Sequence, residues 1–242
     1  MAKKILVIDD SALMRRVISD IINSGGDYEV AAIARDGVEG FDLIVSNPHL
    51  YSAVILDINM PKMNGLELLE KLQKNRIEQT VIVVSTVAKE GAKETIKALE
   101  LGAFDFVTKP ENYLETKGET FKNNIHKMLD LATGSHRSKV DLRTTSFAKP
   151  GSVVRPAKPK PVVMPRKLEP GNFTGVKTGR KKIVALACST GGPKSLQQVI
   201  PYLPKNLDAP VVLVQHMPAG FTFSLSQRLN EISEVEVKEA QE

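Results

Sequence analysis

The chain has 242 residues, 42% hydrophobic and 25% charged, with a formal net charge of +5 and one cysteine, Cys188. One cysteine excludes a disulfide framework and a cysteine-ligated zinc site, and suits a reducing cytosol. No apolar run reaches the roughly 18 residues of a membrane span, and the aspartates of MAKKILVIDD come too early for a signal peptide, so a soluble, cytoplasmic protein is expected.

The positive charge is confined to the middle of the chain. Residues 1–134 hold 16 Lys and Arg against 20 Asp and Glu, residues 135–182 hold 13 against 2, and residues 183–242 hold 4 against 6. The middle segment also carries Pro150, Pro156, Pro159, Pro161, Pro165 and Pro170 among few large apolar residues. Such a composition cannot bury enough surface to offset the entropy of ordering, so a basic, Pro-rich linker is expected over 131–182. It joins a first block at 1–130 to a second at 183–242.

The first block alternates strands and helices. Runs at 4–8, 29–34, 53–56, 80–84 and 104–107 are rich in Val and Ile on consecutive positions, as in strands covered on both faces. Helical spacing follows them: Leu13, Val17 and Ile21; Leu66, Leu69 and Leu72; Ile96 and Leu99; then Phe121, Ile125, Met128 and Leu129. Five βα units predict an α/β fold with a doubly wound, five-stranded parallel sheet of flavodoxin-like type, whose ligands bind beyond the carboxyl ends of the strands.

Polar residues cluster at those ends. Asp9 and Asp10 follow the first strand, Asp57 the third, Ser85 the fourth, and Lys109 the fifth. Taken singly, Asp10 or Ser11 suits the cap of the first helix, Asp57 suits a turn before Met60-Pro61, and Lys109 suits a solvated surface. Jointly, converging carboxylates repel unless a cation neutralises them, and Mg²⁺ is the natural hard ion for oxygen ligands. A magnesium-bound carboxylate beside a lysine and a hydroxyl suits phosphoryl transfer.

In the second block, 183–188 (IVALAC) reads as a buried strand, Ser189-Thr190-Gly191-Gly192-Pro193 as a tight turn, and Lys194–Leu203 as a helix. A further strand at 211–214 leads to Gln215-His216-Met217-Pro218, then to a helix over Phe221–Leu229 and a short strand over Val235–Val237. A serine at a strand-to-helix turn stands near free helix amides, where it serves either as an anion-binding cap or as a nucleophile. His216, 27 positions on, reaches Ser189 if the two strands are parallel neighbours, and can then take its proton. No G-x-S-x-G elbow is present.

The first block resembles the receiver domain of bacterial two-component response regulators over 1–130. The resemblance implies phosphorylation at Asp57, Mg²⁺ held by Asp9, Asp10, Asp57 and the main-chain carbonyl of Asn59, and contact of Ser85 and Lys109 with the phosphoryl group. Phe106 falls at the aromatic position that often rearranges on activation, and equally suits the core.

The order of receiver, basic tether, then IVALACSTGGP and VVLVQHMPAGFTFSL is similar to that of the CheB-type chemotaxis protein-glutamate methylesterases, with 183–242 as the amino-terminal part of their catalytic domain. That resemblance implies hydrolysis of glutamate methyl esters, and deamidation of glutamines, on chemoreceptors. Ser189 would be the nucleophile and His216 the general base, with no cofactor for the ester chemistry. The implied partners are methylated chemoreceptors and a chemotaxis histidine kinase, whose phosphorylation of Asp57 would move the receiver off the catalytic face. The family's third catalytic residue, an aspartate, lies well beyond the histidine, and Asp208, Glu231, Glu234 and Glu236 match no part of its motif. An incomplete methylesterase is therefore expected, impaired because loss of a triad aspartate costs about 10⁴ in turnover. The alternative is a non-catalytic, phosphorylation-dependent binding module. No helix-turn-helix follows the receiver and no aromatics interleave the basic tether, so neither a nucleic-acid partner nor membrane insertion is expected.

Overall fold

Val/Ile-rich segments and amphipathic helices alternate through the first block of the computed structural model, which describes residues 2–86, 88–110, 118–134 and 182–241. The elements are β1 (Lys3–Ile8), α1 (Ala12–Asn23), β2 (Tyr28–Ala34), α2 (Gly37–Ser46), β3 (Ala53–Asp57), α3 (Gly65–Lys74), β4 (Val81–Ser85), α4 (Lys89–Glu100), β5 (Asp105–Thr108) and α5 (Glu119–Ala132). The strands pair in parallel in the order β2-β1-β3-β4-β5. This is the expected doubly wound sheet, with its order reversing between β1 and β3. The helix α5 runs two residues past the expected boundary at 130, and the rest of the expected linker, but for 133, 134 and 182, lies outside the described residues.

Alternation along β1 builds a core on each side of the sheet. Ile5 and Val7 face Ile18, Ile22, Ile125 and Leu129 of α1 and α5. Leu6 and Ile8 belong to the opposite cluster, with Ile44, Leu68 and Ile96 of α2, α3 and α4. Residues of β3 and β4 are buried throughout, as consecutive apolar positions require, whereas the edge strand β2 alternates. Side chains fix the starts of α1, α2 and α3. Ser11, rather than Asp10, caps α1 by accepting from Met14 N–H at 3.3 Å. Asp36 caps α2, and Asn64 and Glu67 form a reciprocal capping box on α3.

The second block contributes β6 (Val184–Cys188), α6 (Gly192–Val199) continuing into a 3₁₀ turn (Ile200–Tyr202), β7 (Val211–Gln215) and α7 (Phe221–Ile232). Strands β6 and β7 are parallel neighbours, with Cys188 opposite Gln215. Both blocks belong to one compact unit. Leu196, Ile200, Phe221, Leu225 and Leu229 from the α6 and α7 segments lie in the same buried cluster as Leu99 and Phe106. The β6–β7 sheet is open by comparison: Val184, Val212 and Val214 are exposed.

Two expectations are corrected here. IVALAC forms a strand but not a buried one, because no second layer covers it among the described residues. Val235–Val237 forms no strand. It turns back along α7 instead: Val237 N–H donates to Asn230 Oδ1 at 2.8 Å, and both valines pack against the core cluster.

Gly65 begins α3 directly behind Asp57. A Cβ there would collide with the Asp57 carbonyl oxygen and stand 2.8 Å from Ile58 Cα, both rigid backbone. In an open helix, Gly→Ala gains about 1 kcal/mol; here the overpacking cost of about 1–3 kcal/mol opposes it. Gly65→Ala is expected to destabilise the chain by up to about 2 kcal/mol in urea denaturation, and a gain in stability would refute the close approach.

Candidate functional site

The strand ends of the first block bring two carboxylates and an ammonium into contact. Asp9, 1% exposed, follows β1; Asp57, 6% exposed, ends β3. Lys109 follows β5, and its Nζ lies 2.8 Å from both Asp9 Oδ2 and Asp57 Oδ2. The remaining oxygens are satisfied locally, Asp9 Oδ1 by Ser11 N–H and Asp57 Oδ1 by Ile58 N–H. Burial pushes the Asp57 carboxyl above its ordinary pKa despite the adjacent ammonium. Burial alone would lower the Lys109 pKa, but the attraction of Asp57 and Asp9 outweighs it and holds the ammonium above its ordinary value.

Asp10 is exposed, yet carboxylate oxygens of Asp9, Asp10 and Asp57 all lie within 4.8 Å of one another. Arg15, which sequence reasoning passed over, ties this loop down by donating to the carbonyls of Asp9 at 2.7 Å and Asp10 at 2.9 Å. Ser85 is buried at the end of β4, with its hydroxyl 3.3 Å from the Gly91 carbonyl in the first turn of α4. Lys109 N–H donates to the Ser85 carbonyl at 2.7 Å. The Asn59 side chain bonds Glu94. The first-block residues singled out from sequence therefore sit along one sheet edge.

A second cluster lies at the ends of β6 and β7. Because Cys188 pairs with Gln215, residues 189 and 216 leave neighbouring strands at the same level. His216 N–H donates to Cys188 O at 3.1 Å, and Gln215 Nε2 spans the carbonyls of Ser189 and His216 at 3.0 Å each. Among the described residues, Ser189 and His216 share no side-chain hydrogen bond, although both are exposed and line one crevice of about 320 Å³ with Asp105, Thr108, Asn124 and Lys127. Gly191, at φ 71°, caps α6. Cys188 is half-buried behind the turn.

First-block residues close one side of that crevice. Asp105, 5% exposed, accepts from Gly191 N–H at 2.8 Å through Oδ2 and from Phe106 N–H at 2.9 Å through Oδ1. Burial raises its pKa against the pull of both amides. Phe106 stacks on Phe221 with ring centroids 4.7 Å apart, a contact worth about 0.5–1.5 kcal/mol beyond the area it buries. Arg228 donates to both carboxylate oxygens of Glu100, at 2.9 and 3.1 Å. Asp105 and Gln215 escaped sequence reasoning; the one trace of Asp105 was a charge inside the apolar run FDFV.

Residues 5–117 match the family described as response regulator receiver domain, and residues 184–242 the CheB methylesterase family. Three similar curated proteins, all named protein-glutamate methylesterase/protein-glutamine glutaminase, come from Pyrococcus horikoshii (40% identical over 99% of this chain and 59% of the relative), Bacillus subtilis (41%, over 99% and 63%) and Thermotoga maritima (41%, over 99% and 62%). The chain thus spans about three fifths of the length of these relatives. The crystal structure of the response regulator domain of Thermotoga maritima CheB is 36% identical, with a TM-score of 0.46 over 55% of this chain and 96% of that one.

Lys109→Met would leave two buried carboxylates without their ammonium, at a cost of about 3–5 kcal/mol. The Asp57 carboxyl, already raised by burial, then loses the cation that lowers it and rises further. The folded state binds more protons than the unfolded one, and stability falls as pH rises. In urea denaturation with a chelator present, the deficit against wild type is expected to be largest near pH 7 and to shrink toward pH 5. A deficit independent of pH would show that the ammonium has no electrostatic role.

Proposed function

We propose that the chain is a CheB-type response-regulator methylesterase in which Asp57 accepts a phosphoryl group that controls ester hydrolysis at Ser189. The contact of Lys109 with both Asp9 and Asp57 carries the first half of this reading. It sets a buried carboxylate beside a fixed cation, the arrangement that phosphoryl transfer to a carboxylate calls for. The donor set also fits magnesium: Asp9, Asp10 and Asp57 offer only hard oxygen ligands, and the Asn59 main-chain carbonyl is assigned to the same ion. When bound, Mg²⁺ neutralises charge on the phosphoryl oxygens. Lys109 then turns its ammonium toward one of those oxygens, and the Ser85 hydroxyl turns toward another.

For the second half, the Ser189 hydroxyl attacks the carbonyl carbon of a glutamate methyl ester while His216 takes its proton. The histidine returns the proton to the departing methoxide, releasing methanol, and water then hydrolyses the acyl-serine. Deamidation of a glutamine would follow the same steps with ammonia leaving. Exposed Ser189 and His216 at the ends of adjacent parallel strands support this assignment. The domain division at 130 and 183 belongs to the same reading, as do a cytoplasmic location, a chemotaxis histidine kinase as phosphodonor and methylated chemoreceptors as substrates. None of the helices among the described residues is long and apolar enough to cross a membrane.

One observation favours a second reading. Without a Ser189–His216 side-chain bond, the chain serves as a phosphorylation-dependent binding module that docks on kinase or receptor without hydrolysing it.

Methanol release from methylated receptor membranes separates the two readings. With Mg²⁺, the hydrolase reading expects release that rises with a small-molecule phosphodonor, loses that rise in Asp57→Asn, and disappears in Ser189→Ala. Phosphoryl uptake at Asp57 without any methanol release leaves the binding module.

A further inference from the structure

We propose that Arg15 is a positioning residue for the divalent cation: its guanidinium fixes the main chain that carries Asp9 and Asp10, and so sets how tightly the carboxylate cluster holds a metal ion. This inference rests on the reading of Asp9, Asp10 and Asp57 as a magnesium site and adds to it a residue outside the ligand set.

The two aspartates are held in unequal ways. Every polar group of Asp9 is engaged. Its N–H donates to Ala34 O at 3.2 Å, its carboxylate accepts from Ser11 N–H and Lys109 Nζ, and its carbonyl accepts from Arg15 Nη1 at 2.7 Å. Asp10 is exposed, and among the described residues its one hydrogen bond runs from its carbonyl to the same Arg15 nitrogen, at 2.9 Å. Its carboxylate nevertheless brings an oxygen within 4.8 Å of oxygens on Asp9 and Asp57. Peptide groups are planar, so fixing the two carbonyls on either side of the Asp10 Cα fixes the direction in which its side chain leaves the chain. Arg15 thereby places a carboxylate that it does not touch.

The clamp is built on a rigid element. Arg15 is the fourth residue of α1, its own N–H donates to Ser11 O at 2.9 Å, and Ile18 and Ile22 seat the same helix in the core with Ile5 and Val7 of β1. A cation near the start of a helix works against the helix dipole, and the two carbonyl acceptors offset that cost. A cation beside converging carboxylates also repels the metal ion they hold. Charge and clamp therefore act on metal affinity with opposite signs. As a charge alone, Arg15 weakens binding; as a clamp, it strengthens binding by holding the loop in the coordinating geometry before the ion arrives.

That difference in sign makes the test. Mn²⁺, an ion suited to the same oxygen ligands, is titrated with protein and its free fraction is read by electron paramagnetic resonance, without phosphoryl or ester chemistry. The full 242-residue chain is compared with Arg15→Ala and Arg15→Lys, and an Asp9→Asn, Asp57→Asn double variant is the blank for binding elsewhere on the chain. Thermal melting checks that each variant is folded at the assay temperature. Arg15→Lys, which keeps the charge but lacks the planar fork, carries the test if Arg15→Ala does not fold.

The clamp expects both variants to bind Mn²⁺ about three- to tenfold more weakly than wild type. Partners that orient metal ligands ordinarily account for about 10–100-fold in affinity, and in Arg15→Ala the lifted repulsion returns part of the loss. Tighter binding by Arg15→Ala, or every folded variant within about twofold of wild type, overturns the clamp and leaves the metal site standing, even where the melting temperature falls. Wild-type binding no tighter than that of the blank removes the metal site and the clamp together.

Discussion

The ammonium of Lys109 sits between two carboxylates that are almost fully buried, and the rest of the first block is arranged to make that contact tolerable. Either carboxylate alone in that position would favour its neutral form, and the two together without a cation would repel. The sheet order places β3 between β1 and β4, so Asp9 and Asp57 project side by side from the reversal point, with β5 one strand further along. Lys109 reaches back across β4 to meet them, guided by its own N–H to the Ser85 carbonyl. The absence of a side chain at Gly65 lets α3 begin against the Asp57 carbonyl, and Arg15 pins the loop that carries Asp9 and Asp10. Charge placement, more than apolar burial, fixes the geometry of this edge.

The same strand that delivers Lys109 also supplies Asp105 and Phe106 to the second block. With four residues it is the shortest of the five strands, and its position at the sheet edge leaves one side free of a further strand. A central strand could not serve in this way, because its neighbours would fill both flanks. The edge position explains how one segment can lie in a buried ladder with β4 and still present a carboxylate and an aromatic ring to α6 and α7. It also explains why Asp105 tolerates burial. Its two amide donors come from opposite sides of the boundary, and together they satisfy the charge that solvent would otherwise solvate.

Most of the first block was legible in the sequence because its signals are local and redundant. Apolar runs of four to six residues, helix caps and glycine stops all point to the same alternation, and the chemistry-bearing residues fall at strand ends where a parallel sheet gathers them. The second block was less legible. IVALAC looks like a core strand, and whether it is covered depends on what packs over it, which periodicity does not reveal. Val235–Val237 has the alternation of a strand, but packing against the core cluster and a hydrogen bond to Asn230 hold it along α7 instead. Asp105, Gln215 and Arg15 went unread for a common reason. Each acts through a main-chain partner brought near by the fold, and neither residue type nor spacing encodes that partner.

Ser189 and His216 show how far backbone register alone can build a site. The β6–β7 ladder sets both residues at one level, and Gln215 fastens their carbonyls with a single amide group. Gly192 allows this, since a Cβ there would collide with the Gln215 side-chain oxygen. Nothing in that scaffold orients the imidazole toward the hydroxyl. Register places the Cα atoms, while a nucleophile and its base also require ring orientation and a defined tautomer. The crevice therefore has the positions of a serine–histidine pair and not yet its hydrogen bond. The groups crowding it, Asp105 and Lys127 foremost, come from the first block.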